Sequence, residues 1–451
     1  MKIVIIGDGK VGRAITEQAV KEGHTVIVID KRAEVINDLI NTYDVMGITG
    51  NGASYITQKN AGVATANLVV SATSSDETNI LSCLVAKKLG AKATIARVRD
   101  YDYSKQINLI QNDLGINMVI NPELESASEI MNIINFPQAI RVDSFAKGNV
   151  DIVELYIPKD SPLIGQTLSD IHAKYQVNIL ICAVQRGEFV IIPTGRFIIH
   201  EGDRIHITAS KSSIRSFLHK LGLVDNKLHN IMIVGGGKIA LYLGLFLLKN
   251  KYNVKIIEID HNRCEELSQL LPDVTIINGD GTNKDVLIDE GLLESDAFIT
   301  LTGSDEENII LSMFAHTQKN LKVITKVSKS SFADIVDTIG GISVIKPKEI
   351  TSSKVISYIR SKNNVRGNNL VTLYKLVNNQ VEALEFNVKE NSKVINTRLR
   401  DLKFKRDVLI ACIIHEGDVI IPSGNDIVEA YDTVIVITAN QIINDLDDIL
   451  E

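Results

Sequence analysis

Four cysteines in 451 residues lie too far apart to build anything together. Cys83, Cys182, Cys264 and Cys412 form no C-x-x-C pair, which argues against a zinc site and a disulfide scaffold and leaves four reduced thiols in a cytosolic setting. The nine histidines are equally scattered. His200 and His206 stand six apart, which is not the spacing of a helical ligand pair, so no metal is expected. Long apolar runs are missing too. The longest, Ile239 to Leu248, is about half a membrane span, so the chain is expected to be soluble and to meet a membrane only through a partner. The apolar start Ile3–Ile6 leads straight into Gly7 and is too short for a signal-peptide core. Positive charge is not in excess either. The 48 Lys and Arg against 55 Asp and Glu leave a net charge of -7, with no electrostatic reason to bind nucleic acid. Tryptophan is absent, and nothing follows from that.

What is present is ordinary in amount and unusual in arrangement. A hydrophobic content of 45% and a charged content of 23% describe a globular protein without extended disorder, and the length suggests about three domains. The arrangement repeats. Gly7-Asp8-Gly9-Lys10-Val11-Gly12 returns 228 positions later as Gly235-Gly236-Gly237-Lys238-Ile239-Ala240, and Asp30 returns at the same offset as Glu258. Gly50-Asn51-Gly52 returns 229 positions later as Gly279-Asp280-Gly281. Ser75-Asp76-Glu77-Thr78-Asn79 and Pro193-Thr194-Gly195 return at 229 as Ser304-Asp305-Glu306-Glu307-Asn308 and Pro422-Ser423-Gly424. Landmarks in such constant register mark an internal duplication of a unit of about 225 residues.

Each unit has two parts. The first alternates short apolar strands with amphipathic helices, the pattern of a parallel sheet with crossover helices. Lys2–Ile6, Thr25–Ile29, Val45–Thr49, Leu68–Ser71 and Thr94–Val98 are predicted strands; Val11–Glu22, Ala33–Asn41 and Thr78–Leu89 are predicted helices. The second part carries short alternating strands such as Arg204–Thr208 and reads as a small α+β domain with one face of its sheet exposed. Within it Gly165 and Asp170 bracket a short helical stretch, and Gly202-Asp203 marks a turn. The fold class is therefore α/β: two tandem Rossmann-type lobes, 1–125 and 229–350, each followed by a small α+β domain, 140–225 and 366–451. A polar joint at Val224-Asp225-Asn226-Lys227 separates the halves.

The glycine turn sits where a phosphate cradle belongs, between an apolar strand and a helix. Gly7 permits the tight turn, Gly9 lets the backbone approach a pyrophosphate, and Gly12 lets the helix pack against the strand. Lys10 and Val11 open the helix, whose N–H groups and dipole would hold the anion, and Gly23 caps its far end. Asp30, at the end of the second strand, is placed to accept ribose hydroxyl hydrogen bonds. That disfavours a 2′-phosphate, an exclusion weakened by Lys31 and Arg32. Asn51 and Gly52 follow the third strand, and Ala72 and Thr73 the fourth. Arg97 and Arg99, at the end of the fifth, are either phosphate partners or solvated surface charges. Asp76 is expected to cap the helix carrying Asn79. The second lobe repeats the site with Gly235, Gly236, Gly237, Lys238, Ile239, Ala240, Glu258, Gly279, Asp280, Gly281 and Lys326, but Ser328 replaces the second arginine.

No acid or base stands out to serve a hydride transfer. Tyr101 and Lys105 have the Y-x-x-x-K spacing of short-chain dehydrogenases, directly after the fifth strand, whereas that family carries it later, with a serine upstream; coincidence is the better reading. A nucleotide site without chemistry suggests a sensor. The motifs together resemble the TrkA family of regulators of Trk potassium uptake, which carry tandem RCK (regulator of conductance of potassium) units. Besides the turn, Asp30 and the repeated segments, the resemblance rests on Gly50-Asn51-Gly52-Ala53, Ala96-Arg97-Val98-Arg99, Asn121-Pro122-Glu123 and Lys346-Pro347. It implies a cytoplasmic, non-catalytic subunit at the inner face of the membrane. A ring of lobes, a homotetramer of this double unit, would bind NAD(H), with ATP and ADP as further ligands, and gate a Trk-type potassium-translocating membrane protein. A NAD-dependent oxidoreductase and an RCK regulator of another cation transporter stay open as alternatives.

Overall fold

A computed structural model describes residues 1–223, 228–318, 321–363, 369–376, 380–439 and 443–451. The expected joint at Val224–Lys227 and the expected start of the last domain at 366 lie outside them. The chain divides into two compact units, Met1–Ser126 with Lys346–Ile359, and Ala127–Ile345 with Arg360–Glu451.

In the first unit the elements run β1 (Lys2–Ile6), α1 (Lys10–Lys21), β2 (Thr25–Asp30), α2 (Ala33–Thr42), β3 (Met46–Thr49), α3 (Tyr55–Asn60), β4 (Leu68–Ser71), α4 (Asp76–Leu89), β5 (Thr94–Arg97), α5 (Tyr101–Lys105) and β6 (Met118–Ile120), before α6 (Pro122–Asn135) begins. The sheet order is β3-β2-β1-β4-β5-β6 and all pairings are parallel, the doubly wound arrangement. Val4, Ile5, Val28, Ile29, Val69 and Val70 are buried, so the central strands are continuous apolar runs because helices cover both faces. On α1 the buried residues Val11, Ile15 and Ala19 recur every fourth position and form one stripe. That helix ends as expected: Gly23 has φ +73°, its N–H donates to the Val20 carbonyl, and the His24 N–H donates to that of Ala19. A segment from the other end of the chain completes the core. Val355, Ile356 and Ile359 join Ile3, Ile5, Val28, Ile95 and Ile120, and Lys354 pairs with Glu125.

In the second unit the first small domain comes first: β7 (Arg141–Phe145), β8 (Val150–Tyr156), α7 (Leu168–Tyr175), β9 (Leu180–Arg186), β10 (Phe189–Ile191), β11 (Arg204–Ser210) and α8 (Lys211–Lys220). The second lobe follows: β12 (Asn230–Val234), α9 (Lys238–Lys249), β13 (Asn253–Glu258), α10 (His261–Leu270), β14 (Thr275–Asn278), α11 (Lys284–Asp289), β15 (Ala297–Thr300), α12 (Asp305–His316), β16 (Lys322–Lys326), α13 (Ser330–Ile339) and β17 (Ser343–Ile345). Then α14 (Pro347–Asn363) leads to β18 (Asn369–Leu376), β19 (Val381–Asn387), β20 (Val408–His415), β21 (Asp418–Ile420) and β22 (Thr433–Ala439). The sheet of the second lobe, β14-β13-β12-β15-β16-β17, repeats the order of the first. The small sheets, β10-β9-β11-β8-β7 and β18-β19-β22-β20-β21, repeat each other strand for strand.

Two expectations about the first small domain are overturned. Neither face of its sheet is left to solvent: α7 and α8 cover one with Ile171, Tyr175, Ile214 and Phe217. The other packs Phe145, Val150, Ile152 and Cys182 against Val381, Ala383, Cys412, Ile435 and Ile437 of its own repeat. Asp170 does not close a helix begun at Gly165. It lies inside the first turn of α7, where Thr167 accepts the Asp170 N–H and Asp170 accepts the Thr167 N–H, a reciprocal capping box. A polar residue that reads as a helix stop is here a helix start.

Candidate nucleotide site

The glycine turn of the first lobe is held from three sides. Gly7 has φ +94°, and a Cβ there would lie 2.9 Å from the Thr73 backbone nitrogen, so Ala72 and Thr73 at the end of β4 leave room for glycine alone. A Cβ on Gly12 would lie 1.9 Å from the Gly7 carbonyl oxygen, because α1 rises directly against the turn. Gly9 differs: a Cβ there meets nothing within 4 Å, φ is −78°, and its position as N-cap of α1 leaves the first turn, Lys10, Val11 and Gly12, without a side-chain cap. The turn is closed toward the protein and open outward at Gly9, which is what a pyrophosphate needs.

Asp30 is 9% exposed and aligned by the turn itself, its Oδ2 accepting the Asp8 N–H at 2.9 Å and its Oδ1 the Arg32 N–H at 3.0 Å. The Arg32 guanidinium stands 3.2 Å from Oδ1. Burial alone would raise the Asp30 carboxyl, but these donors outweigh it and hold it below its ordinary value. Asp8 goes the other way. Burial raises its carboxyl, and Arg13, at 3.0 Å, only partly offsets that.

The second lobe keeps this geometry with different residues. Gly235 has φ +97° beside Leu301 and Thr302, and Gly237 caps α9 with no heavy atom within 4 Å of an added Cβ. Glu258 Oε2 accepts the Gly236 N–H at 2.6 Å, the counterpart of Asp30 and Asp8. Lys238 is exposed; Ile239 and Ala240 are buried in the first turn of α9.

The outer residues are less uniform. Gly52 and Gly281 serve packing: a Cβ would lie 2.0 Å from Ile6 Cγ2 and 2.4 Å from Val234 Cγ1. Asn51 and Asp280 are exposed, and each folds its own loop by accepting the N–H two residues on, from Ala53 and Thr282; Gly279 precedes that loop. Arg97 and Arg99 are not solvated surface charges, their side chains being 15% and 26% exposed. Arg97 lies 3.5 Å from Glu123, and Arg99 donates to the Ser74 carbonyl at 2.5 Å. Lys326 donates to the Thr302 carbonyl. The expected cap is corrected as well: Ser75, not Asp76, accepts the Thr78 N–H, because the cap is the residue before the first helical one. Asp76 instead accepts the N–H groups of Arg99 and Asp100, and Asp305 those of Ser328 and Lys329. Asn79, fully buried, accepts from the Thr73 N–H and donates to the Thr73 and Arg97 carbonyls; Asn308 does the same with Thr302 and Lys326. The segment stands out in the sequence, but nothing local there gives the Asn its role. Its signal was the repetition of Asp and Asn at one spacing in both halves.

Lys105 of the Y-x-x-x-K motif lies 3.9 Å from the Tyr101 ring centroid and 3.5 Å from Asp102, an ordinary surface pairing. Among the described residues no group of three His, Cys, Asp or Glu could hold a metal ion, and no helix is long and apolar enough to cross a membrane.

The chain's sequence matches the domains of a known family. The TrkA-N domain matches residues 3–122 and 231–347, and the TrkA-C domain residues 152–222 and 383–451. A Trk system potassium uptake protein TrkA homolog of Archaeoglobus fulgidus is 30% identical over 97% of each chain. The Trk system potassium uptake protein TrkA of Vibrio alginolyticus is 30% identical over 98% of this chain and 96% of its own. Among solved structures the GsuK channel superposes with a TM-score of 0.65 at 18% identity, over 97% of this chain and 77% of that one, and a GsuK channel bound to NAD with a TM-score of 0.64, which extends the shared fold to the whole chain. Both domains occur twice and in the same order, and full-length relatives reach 30% identity: the chain belongs to the TrkA family of Trk system potassium uptake proteins.

Proposed function

We propose that this chain is the regulatory, nucleotide-binding subunit of a Trk-type potassium uptake system, acting at the inner face of the membrane through a potassium-translocating partner. The carrying observation is the pair of turns open at Gly9 and Gly237, each locked to an acid at the end of the second strand, Asp30 or Glu258. NAD(H) is the ligand that fits best, with ATP and ADP as further nucleotides. In this reading the first turn of α1 or α9 holds the pyrophosphate and the acid holds the ribose. Both acids accept N–H groups of the turn, so binding at the ribose is felt by the backbone at the phosphates. A nucleotide that binds one conformation of the assembly more tightly than another shifts the balance between them, and that difference is what gates the pore. The working assembly in this reading is a homotetramer, with lobes at 1–125 and 229–350 and small domains at 140–225 and 366–451.

The test is calorimetry of NADH and ATP with the full chain and with Gly9→Leu. The added side chain enters open space, so the fold survives while pyrophosphate approach is blocked. Loss of the tighter binding event is expected; unchanged affinity would sink the assignment of the first lobe. Turnover of a nicotinamide with any substrate would favour the oxidoreductase alternative.

A further inference from the structure

The two acids that mark the ribose position have opposite surroundings. In the first lobe Lys31 and Arg32 follow Asp30; in the second, Ile259 and Asp260 follow Glu258. The Arg32 side chain is 56% exposed and reaches Asp30 from the solvent side, Nε to Oδ1 at 3.2 Å and Nη2 to Oδ2 at 3.5 Å. The Asp30 charge is thus offset by a guanidinium that is free to turn outward. In the second lobe Glu258 Oε1 accepts the Asp260 N–H at 2.9 Å, and the Asp260 carboxylate caps α10 by accepting from the Asn262 and Arg263 N–H groups. The cations nearby in sequence each stand beside an acid of their own helix. Arg263 donates from Nε to the Gly236 carbonyl at 2.7 Å and lies 2.6 Å from Glu266, and His261 lies 3.4 Å from Glu265. Burial first, then the charges of Glu258 and Asp260, push the neighbouring Cys264 thiol up. At the position two residues past the ribose acid, the second lobe therefore sets Asp260 where the first sets Arg32.

We propose that Arg32 lets the first lobe accept a dinucleotide phosphorylated on the adenosine 2′-hydroxyl, and that Asp260 bars it from the second. The inference rests on the nucleotide-binding reading and assigns its specificity. A 2′-phosphate adds negative charge beside the ribose. An arginine at that edge meets it with a charge-assisted, fork-shaped contact, whereas an acid there repels it. Asp30 still accepts the free ribose hydroxyl, so the first lobe tolerates both forms and the second takes only the unphosphorylated one.

The experiment isolates each lobe in the full chain. Gly237→Leu leaves the first site and Gly9→Leu the second; both substitutions project into open space. Calorimetry with NADH and NADPH follows. The Gly237→Leu chain is expected to bind the two within about tenfold of each other, and the Gly9→Leu chain to bind NADPH about 100-fold more weakly than NADH. Adding Arg32→Asp to the first should weaken NADPH by about tenfold or more and leave NADH within a few-fold; adding Asp260→Arg to the second should strengthen NADPH. Equal losses for both nucleotides with Arg32→Asp, or equal rejection of NADPH by both lobes, overturn the proposal. No NADH binding in either single-lobe chain overturns the proposal together with the reading beneath it.

Discussion

Asn79 and Asn308 tie together the strand ends on which the site stands. Each is fully buried and joins the backbone after the fourth strand of its lobe to the backbone ending the fifth. Replacing Asn79 by Ala strands the Thr73 N–H and the Arg97 carbonyl. A buried orphan costs about 1–3 kcal/mol and these two groups are half-buried, so a loss of about 1–3 kcal/mol is expected in urea unfolding, with nucleotide affinity falling as Thr73 shifts against Gly7. A stability change under about 0.5 kcal/mol would remove Asn79 from that role. Gly52 is a different kind of residue. A methyl there would lie 2.0 Å from Ile6 Cγ2, so Gly52→Ala should lower the melting temperature whether or not nucleotide is present, whereas a residue that only contacts ligand would leave the free protein unchanged. At this scale the geometry of the turn was legible, because the positive φ at Gly7, the close packing at Gly12 and the placing of Asp30 beside the turn follow from backbone conformation and position after a strand. The partners of Arg97 and Arg99 were not. Glu123 and Ser74 are 26 and 25 positions away, and nothing in the local pattern pairs them.

The helices follow their caps. α7 starts on the box formed by Thr167 and Asp170, and Thr167→Ala should cost about 1 kcal/mol, read as an earlier unfolding midpoint. Asp170 adds a pH dependence of known sign. The side-chain and backbone hydrogen bonds of Thr167 hold its carboxyl below the ordinary value. A depressed acid contributes stability above its unfolded pKa and loses it as the pH falls through the folded one. The stability difference between the wild type and Asp170→Asn should therefore shrink on acidification below the ordinary carboxylate range; a difference that stays constant would assign the cap to Thr167 alone. Element order and the strands of the first lobe were readable from apolar runs between turn residues: Lys2–Ile6 and Leu68–Ser71 fall where they were expected. The burial of the first small sheet was not readable. Alternation along a strand cannot distinguish a face open to water from one covered by Val381, Cys412 and Ile437, which lie in the other half of the chain.

The molecule is a duplication whose halves have diverged. The first small domain keeps two helices, α7 and α8; in the matching stretches of the second, the described residues form only the short turns Leu399–Asp401 and Leu446–Ile449. The apolar stripe Val355, Ile356 and Ile359 lies beyond the second lobe in sequence yet completes the core of the first. Neither half is then an independent protein, and a fragment ending before α14 should expose the Ile3–Ile5 core and aggregate. What the duplication preserves on its surface points outward. Leu81 on α4 and Ile310 on α12 are 229 positions apart, hold the same place in their helices, and are 51% and 67% exposed. Two copies of an apolar residue kept exposed at one position fit a contact made twice in an assembly of identical chains, since such assemblies close by symmetry. Native mass spectrometry of the full chain is expected to give a mass of four chains. The double variant Leu81→Glu with Ile310→Glu should fall to smaller species while retaining the circular dichroism of the wild type, because neither residue contributes to a core. A wild-type chain that stays monomeric at micromolar concentration would refute the tetramer. A double variant that remains fully assembled would move the contact to other surfaces.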